Sequence, residues 1–597
     1  MYFDPPIHCG EPRRGDFILD TSYLILDTTL KMENTKSFIA PNLTINSWDD
    51  VKPYFENLSA RELHNSDELH QWLLDRSQLE SLLEEDMGWR YIRMTCDTTD
   101  KEREKRYLTF VSEIEPQIAP YHDLLNRKMA ESPYLGELEK PEYHNYMRSV
   151  KEEIKIFREE NIPLQTEIQT EQQKYASISG AMTVTVDHKE QTLQQAANYY
   201  KSNDRAKRQQ VYELIVNRRY QDAEALEDLF DILLKLRHQV AVNAGFANFR
   251  DYMFAAMGRF DYTVKDCEMF HQSVKNKVVP MVREMLLERK AKLGLDKLRP
   301  WDTEVDVDGH QPLKPFGDGK DLLDKTIQCF EQIDPFFKQV IETMIAQGHF
   351  DVESRIGKAP GGYNYPLPVN GYPFIFMNAA SNTRDVETMV HEAGHAFHSV
   401  LTKDLELNAQ KALTSEIAEL ASMSMELISS HTQNVFYTNT DDHKRARLEH
   451  LEGIIEVLPW VATVDKFQHW LYTNPNHTRA ERGDAWLSIS QEFSGNVVDW
   501  EGYEKFRPYG WHKQLHIFEV PFYYIEYGFA QLGAVGVWRN YLQNPTQTLQ
   551  QYKDALSLGY TKSIPDIYKT AGVKFDFSEN YIGELVAFVN EQMKSLS

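Results

Sequence analysis

The chain has 597 residues, 42% hydrophobic and 26% charged, which is enough apolar material for a packed core and excludes disorder as the main state. Its 90 acidic residues outnumber 65 basic ones, and the net charge of -25 repels phosphate backbones and anionic membranes. No apolar run reaches the roughly 18 residues of a membrane span; the longest candidate, Gly528 to Trp538, is too short and carries Gln531.

The first segment, MYFDPPIHCGEPRRGDFILD, lacks a basic start followed by an apolar stretch, so it is not a secretory signal. Residues 1–40 read as a tail, and Met32 opens a more ordinary start, MENTKSFIAPNL, which marks it as the expected natural beginning. Cys9, Cys96, Cys267 and Cys329 are far apart and form no CxxC pair. That argues against a thiolate zinc site or a thioredoxin-like motif, and for reduced thiols in a cytoplasmic protein.

From Trp48 to about Met129, apolar residues recur at helical spacing, and a second helical stretch follows from Pro141 to about Gln173. Residues 41–180 are therefore predicted to be an N-terminal helical region. Ala181 to Asp187 alternates β-branched residues and reads as a strand. Helix resumes at Thr192 and runs, with breaks, to Lys292. Leu293 to Lys320 is rich in Pro, Gly and Asp and reads as loop. Helix follows to about Gln347. The stretch from Ile356 to Pro373 is too rich in Gly and Pro for helix, and Phe374 to Met377 suits a buried strand. From Asp385 onward the pattern is mainly helical. The chain shows no repeat and no low-complexity tract, so the fold is predicted to be predominantly α, with a few strands just before residue 380.

Asp385 to Leu401 holds His391-Glu392-Ala393-Gly394-His395. In H-E-x-x-H, two imidazoles one helical turn apart can reach one metal ion, while the glutamate is offset by about 100° and can take a proton from a metal-bound water. Val386, Met389, Val390, Ala393, Phe397 and Val400 form an apolar stripe, opposite His391, His395 and His398. Asn382 or Thr383 can cap this helix. Gly394 has no side chain, so a neighbouring element can approach closely. A solvated face bearing two histidines is the bland alternative, but an imidazole-rich face is unlike the usual Lys/Glu mixture.

The metzincin extension is absent, because His398 and Leu401 stand where Gly and His are required. A carboxylate on a following helix remains as third ligand. In Leu413 to Ile428, Glu416, Glu419 and Glu426 share a face opposite Ile417, Leu420 and Ile428. Read structurally, these acids are a solvated face. Read as a metal site, Glu419 is central, and Glu416 and Glu426 are candidates to orient the imidazoles. Near the C-terminus, His516, Tyr523 and Tyr527 are plausible donors to an oxyanion, with Tyr524 pointing elsewhere and Pro521 opening the helix. An aromatic cluster is equally well explained as core.

The stretch GGYNYPLPVNGYPFIFMNAASNTRDVETMVHEAGHAFHSVL, with SEIAELASMSMEL, HIFEVPFYYIEYGFA and LGYTKSIPDIYKTAGVKFDF, closely resembles the oligoendopeptidase F family of thimet-oligopeptidase-like zinc metallopeptidases. The resemblance is strong from about residue 180 to the end and weaker from 48 to 180. It implies a two-lobed helical zincin with a deep substrate channel and a small β-sheet beside the metal-binding helix, with a catalytic domain over residues 181–597. It implies one zinc ion per chain on His391, His395 and Glu419, with Glu392 as base. His516, Tyr523, Tyr524 and Tyr527 would face the substrate, and Gly361, Gly362 and Tyr363 would lead into the strand that holds the peptide backbone. The partners implied are short unstructured peptides, cut at internal bonds. Many relatives carry cysteine after Gly-Gly-Tyr, where this chain has Asn364. The alternatives are a dipeptidyl carboxypeptidase on the same fold, or an inactive helical peptide-binding protein. The latter is disfavoured because binding alone needs no Glu392. The sequence is silent on cleavage preference and oligomeric state.

Overall fold

The computed structural model describes residues 37–596, apart from 41, 42, 139, 356, 360 and 413. The expected tail and the Met32 start lie almost wholly outside these residues. The N-terminal part opens with α1 (Trp48–Ala60) and the long α2 (Ser66–Cys96). Asn65 starts α2 by accepting the Glu68 N–H at 2.9 Å, which satisfies a donor left free at any helix start. With α3 (Glu115–Ala130) and α4 (His144–Ile156), these helices bury their own apolar cluster around Phe55, Leu69, Trp72, Leu125 and Val150.

The predicted strand near residue 184 is a hairpin. β1 (Thr183–Val186) pairs antiparallel with β2 (Lys189–Thr192), through a turn in which Asp187 and His188 both take positive φ. The second strand was not foreseen, because KEQT carries no β-branched pattern. Helices α5 (Ala223–Asn243) and α6 (Val264–Lys277) follow. The predicted loop 293–320 holds one short 3-10 turn, Pro300–Asp302.

Three strands precede residue 380. They are β3 (Phe350–Glu353), β4 (Tyr363–Tyr365) and β5 (Phe374–Ala379), in the order β3-β5-β4. β5 is central, parallel to β3 and antiparallel to β4, with Tyr363 opposite Phe376. β5 is predicted from its apolar run. β3 and β4 are too short to carry a pattern, and β4 lies inside the stretch read as irregular. Ile92 of α2 packs with Tyr363, Tyr365, Phe374 and Phe376, so the sheet joins the N-terminal helices to the rest of the chain.

The C-terminal part is built on α7 (Thr383–Thr402), α8 (Ser415–Ser429), the 34-residue α9 (Thr440–Thr473), α10 (Ile525–Gln543) and α11 (Glu579–Leu596). Their apolar faces form the largest core, in which the predicted stripe of α7 from Val386 to Val400 is buried. The fold is predominantly α, with only these two small sheets among the described residues. No described helix is long and apolar enough to cross a membrane.

Candidate metal centre and cleft

Helix α7 is held at its start by a reciprocal cap. Asn382 Oδ1 accepts the Asp385 N–H at 3.1 Å, and Asp385 Oδ2 accepts the Asn382 and Ala380 N–H groups at 3.1 and 2.7 Å. About three turns further on, α7 meets α8 with almost no gap. A Cβ on Gly394 would lie 2.6 Å from Ser422 Cα and 2.8 Å from the Ala421 carbonyl oxygen. Only glycine permits that contact, and the contact brings Glu419 to the two histidines.

His391 Nε2 and His395 Nε2 lie 3.2 Å apart. Glu419 Oε2 is 3.4 Å from the first and 3.8 Å from the second. One donor atom from each residue thus lies within 4.8 Å of the others, as one cation requires. The electrostatics fit a cation as well. Burial disfavours a charged His391, yet its bond to Glu426 and the nearby Glu419 carboxylate raise it to about 10. His395 moves well below its ordinary value, first through burial and then through its neighbour His391. The carboxylate field that protonates one imidazole here is the field a divalent cation would meet.

The expected supporting carboxylates divide. Glu426 accepts from His391 Nδ1 at 2.6 Å and lies 2.9 Å from His450 Nε2. Burial raises its carboxyl, but these two partners outweigh burial and hold it at about 2. Its bond to Nδ1 directs His391 Nε2 at the centre. Glu416 is not beside the imidazoles. It is buried and accepts the Tyr262 hydroxyl at 2.8 Å, because it lies at the first turn of α8, where Tyr262 reaches it. His398, read on the imidazole face, is fully buried, and burial alone drives it down to about 3.

These groups open on a cleft of about 380 Å3 lined by Glu392, Gly362, Tyr363, Asn364, Tyr523 and Tyr527. The lining also includes Glu84 of α2, with Asn408 and Lys411. Gly362 passes close to Glu392: a Cβ there would sit 3.4 Å from Thr388 Cγ2 and 3.9 Å from Glu392 Oε1. Gly361 takes φ +108 and leads into β4, an outer strand of the sheet. The Tyr363 side chain does not serve the cleft through its phenol. Its ring stacks on Phe376 at 4.7 Å, and its hydroxyl meets Thr95 Oγ1 at 2.6 Å. Asn364, by contrast, donates to the Glu392 carbonyl at 3.2 Å and so ties β4 to α7. That role, like the lining role of Glu84, has no signal in helical or strand spacing.

The aromatic wall is not the helix expected from Pro521. Helix α10 begins only at Ile525, and Phe522 takes φ +71, which breaks the helix. Gln468 Oε1 accepts the Phe522 N–H at 2.7 Å, and Arg259 donates to the Phe522 carbonyl oxygen. Arg259 also bonds Glu526 Oε1 at 2.8 Å. Past this corner, the Tyr523 hydroxyl lies 3.3 Å from Glu419 Oε1, and the Tyr523 and Tyr527 rings are 5.3 Å apart. His516 is 1% exposed and lies behind them, with its Nδ1 2.7 Å from Gln514 Nε2. Tyr524 packs edge-on to His516 at 4.9 Å. Neither of these two is among the residues lining the cleft.

The fold and site together define a helical protein whose H-E-x-x-H helix, with two histidines one turn apart and a glutamate between them, packs on an acidic helix. Residues 198–586 match peptidase family M3 and residues 41–157 match the peptidase M3 N-terminal domain, so the chain belongs to that family. It is 24% identical over 325 residues to the oligopeptidase PepF of Bacillus subtilis, covering 51% of this chain and 46% of that protein. It is 23% identical over 349 residues to an oligoendopeptidase F homolog of Lactococcus lactis, covering 54% of each. The chain thus aligns with about half the length of these relatives. A solved structure of PZ peptidase A with an inhibitor is 25% identical, with a TM-score of 0.85 over 92% of this chain and 97% of that one.

Proposed function

We propose that the chain is a zinc-dependent oligoendopeptidase that hydrolyses internal bonds of short, unstructured peptides. The observation that carries this reading is the meeting of His391, His395 and Glu419 donors within 4.8 Å, beside Glu392 and at the wall of a cleft. The two imidazoles and one carboxylate match the donor set of a catalytic zinc site with one position left for water. When bound there, zinc supplies a Lewis acid for the scissile carbonyl and brings the pKa of a water molecule towards about 7.

The chain's own groups do the rest. Glu392 takes the attacking water's proton and returns it to the leaving amine. Glu426 holds the proton of His391 on Nδ1, which keeps the Nε2 lone pair facing inward. Tyr523 and Tyr527 offer phenol donors to the oxyanion that forms at the attacked carbonyl. The outer edge of β4 offers backbone groups to an extended peptide, as an added strand would use them. In this reading residues 181–597 are the catalytic part and 41–180 form the opposite wall through α2.

The deciding experiment is cleavage of an internally quenched peptide blocked at both ends. The zinc-loaded protein should cut it, a chelator should stop it, and zinc below one equivalent should restore it. Full activity without metal would overturn the zinc reading. Cleavage confined to peptides with a free carboxyl end would favour a dipeptidyl carboxypeptidase.

A further inference from the structure

A second convergent donor set lies outside the cleft, where α6 packs on α9. Cys267 and His271 stand one turn apart on α6, and Asp465 and His469 one turn apart on α9. All four are buried. His271 Nε2 lies 2.8 Å and His469 Nε2 3.2 Å from Asp465 Oδ2. Donor atoms of Cys267, Asp465 and His469 lie within 4.8 Å of one another. The two imidazole rings stand perpendicular, at 86°, with centroids 5.8 Å apart.

The hydrogen bonds here do not close. Asp465 Oδ1 and His469 Nδ1 have no hydrogen-bond partner, and His469 Nε2 has only the 3.2 Å approach to Asp465 Oδ2, although Asp465 is 0% exposed. Buried polar atoms in native cores are almost always bonded, and an under-partnered ionised group there is strongly unfavourable. Burial would push the Asp465 carboxyl up, but His469 and His271 outweigh it and keep the group ionised. Burial pushes the Cys267 thiol well above its ordinary value, so it stays neutral unless a cation takes the sulfur.

We propose that Cys267, His271, Asp465 and His469 form a buried structural site for one divalent transition-metal ion, zinc by preference. Sulfur and two imidazoles disfavour magnesium and calcium, which take oxygen donors. Four protein donors and full burial leave no position for substrate, as in structural zinc sites. On binding, the thiol loses its proton to solvent, and thiolate plus carboxylate then balance the dication. Zinc bonds of about 2.0–2.1 Å to nitrogen or oxygen in a tetrahedron put such donors about 3.3 Å apart. The separations of 2.8 and 3.2 Å from Asp465 to the two imidazoles are near that value, and Cys267, within 4.8 Å of Asp465 and His469, and His271, which reaches the cluster through Asp465, would close on the ion by side-chain rotation. Paired i, i+4 donors on two facing helices are also the way helix bundles build metal sites. The absence of CxxC does not bear on this site, since its single thiolate is joined by His271 one turn away and by two ligands on a helix distant in sequence.

The site has a structural consequence. The His469 ring packs edge-on to Phe522 at 5.4 Å, and the adjacent Gln468 holds the Phe522 N–H. An ion clamping α6 to α9 would therefore brace the corner that carries Tyr523. It shares no ligand with the His391, His395 and Glu419 set.

The test uses the full chain expressed with zinc. Elemental analysis should find about two zinc ions per chain, falling by one in Cys267→Ser and by one, independently, in a His391→Ala/His395→Ala double variant. Cobalt reports the sulfur directly, because only a site with a thiolate gives a near-ultraviolet sulfur-to-cobalt band. The cobalt-loaded wild-type protein should show that band. The band should persist when Cys9→Ser, Cys96→Ser and Cys329→Ser are combined, and it should vanish in Cys267→Ser. If Cys267→Ser fails to fold, the wild-type and triple-variant spectra decide alone. No band at saturating cobalt in the wild-type protein, or a band lost in the triple variant, would overturn the proposal and leave the four side chains as a hydrogen-bonded cluster.

Discussion

On one wall of the cleft, His391, Glu392 and His395 stand on a single helix, capped by Asn382 and pressed at Gly394 against the helix that carries Glu419. Beside that set, Tyr523 and Tyr527 follow a backbone corner at Phe522 and form an adjoining wall. That corner is held by bonds from Gln468 of α9 and from Arg259, both distant in sequence, and by the packing of its ring on His469. The first wall is organised by local periodicity plus one close contact. The second depends on side chains some 54 and 263 residues away. A wall of the first kind should fail chemically when a donor is lost and keep its shape. A wall of the second kind should fail in shape while the donors of the first wall remain.

The strongest test is at α8. Glu419→Ala should empty the His391, His395 and Glu419 site, whereas Glu416→Ala should keep that site's metal and lose about 1–3 kcal/mol of stability, because the buried Tyr262 hydroxyl loses its acceptor. Zinc content and thermal unfolding of both variants check this, and the reverse result would move the ligand by one turn. Next in size is Glu392→Gln. It should fold, keep its metal and still bind peptide, while turnover drops by at least about 100-fold, the lower end of general acid–base contributions. Near-normal turnover would mean that another group activates the water. Smaller again is Glu426→Ala. His391 would lose its Nδ1 partner, and zinc affinity should weaken by about 10- to 100-fold in chelator competition. An unchanged affinity would show that His391 needs no partner to be oriented. Gly394→Ala should cost about 1–3 kcal/mol, since its Cβ would force α7 and α8 apart. An unfolding curve like that of wild type would mean that the helix contact is soft.

The same contrast explains what could be read in the sequence. His391, His395 and Glu419 obey one rule, that residues three or four apart share a helix face, and Gly394 announces the contact that unites them. The fold class follows from the same periodicity along most of the chain. Glu416 shows where that rule ends. It shares the acidic face, but the partner it meets, Tyr262, comes from another part of the chain. The helix drawn from Pro521 fails for a related reason. Nothing in VPFYYIEYG marks Phe522 as left-handed, because the bonds that hold it there come from α9 and from Arg259. β3 and β4 are three or four residues long and exist through pairing with β5, not through their own pattern. The set of Cys267, His271, Asp465 and His469 is invisible for the same cause: each helix carries only half of it.

The smallest expected effect is also the one that isolates the aromatic wall. Gln468 is fully buried, and its Oε1 accepts the N–H of Phe522 at 2.7 Å. Phe522 has φ +71, a conformation that a bulky residue adopts only when its surroundings impose it. In Gln468→Ala the buried N–H would lose its acceptor, at about 1–2 kcal/mol, and the corner would lose one of the two side-chain bonds to its backbone. Tyr523, the next residue, would drift from its place 3.3 Å from Glu419 Oε1. Zinc at the His391, His395 and Glu419 site should remain at the wild-type level, because none of those three donors is carried by the corner. Turnover should fall by less than in Glu392→Gln. The loss should appear in kcat more than in KM if Tyr523 acts on the oxyanion, which exists only after attack. A loss confined to KM would assign Tyr523 to ground-state binding. A loss of zinc together with turnover would mean that the two walls are a single unit, and the distinction drawn between them would fail.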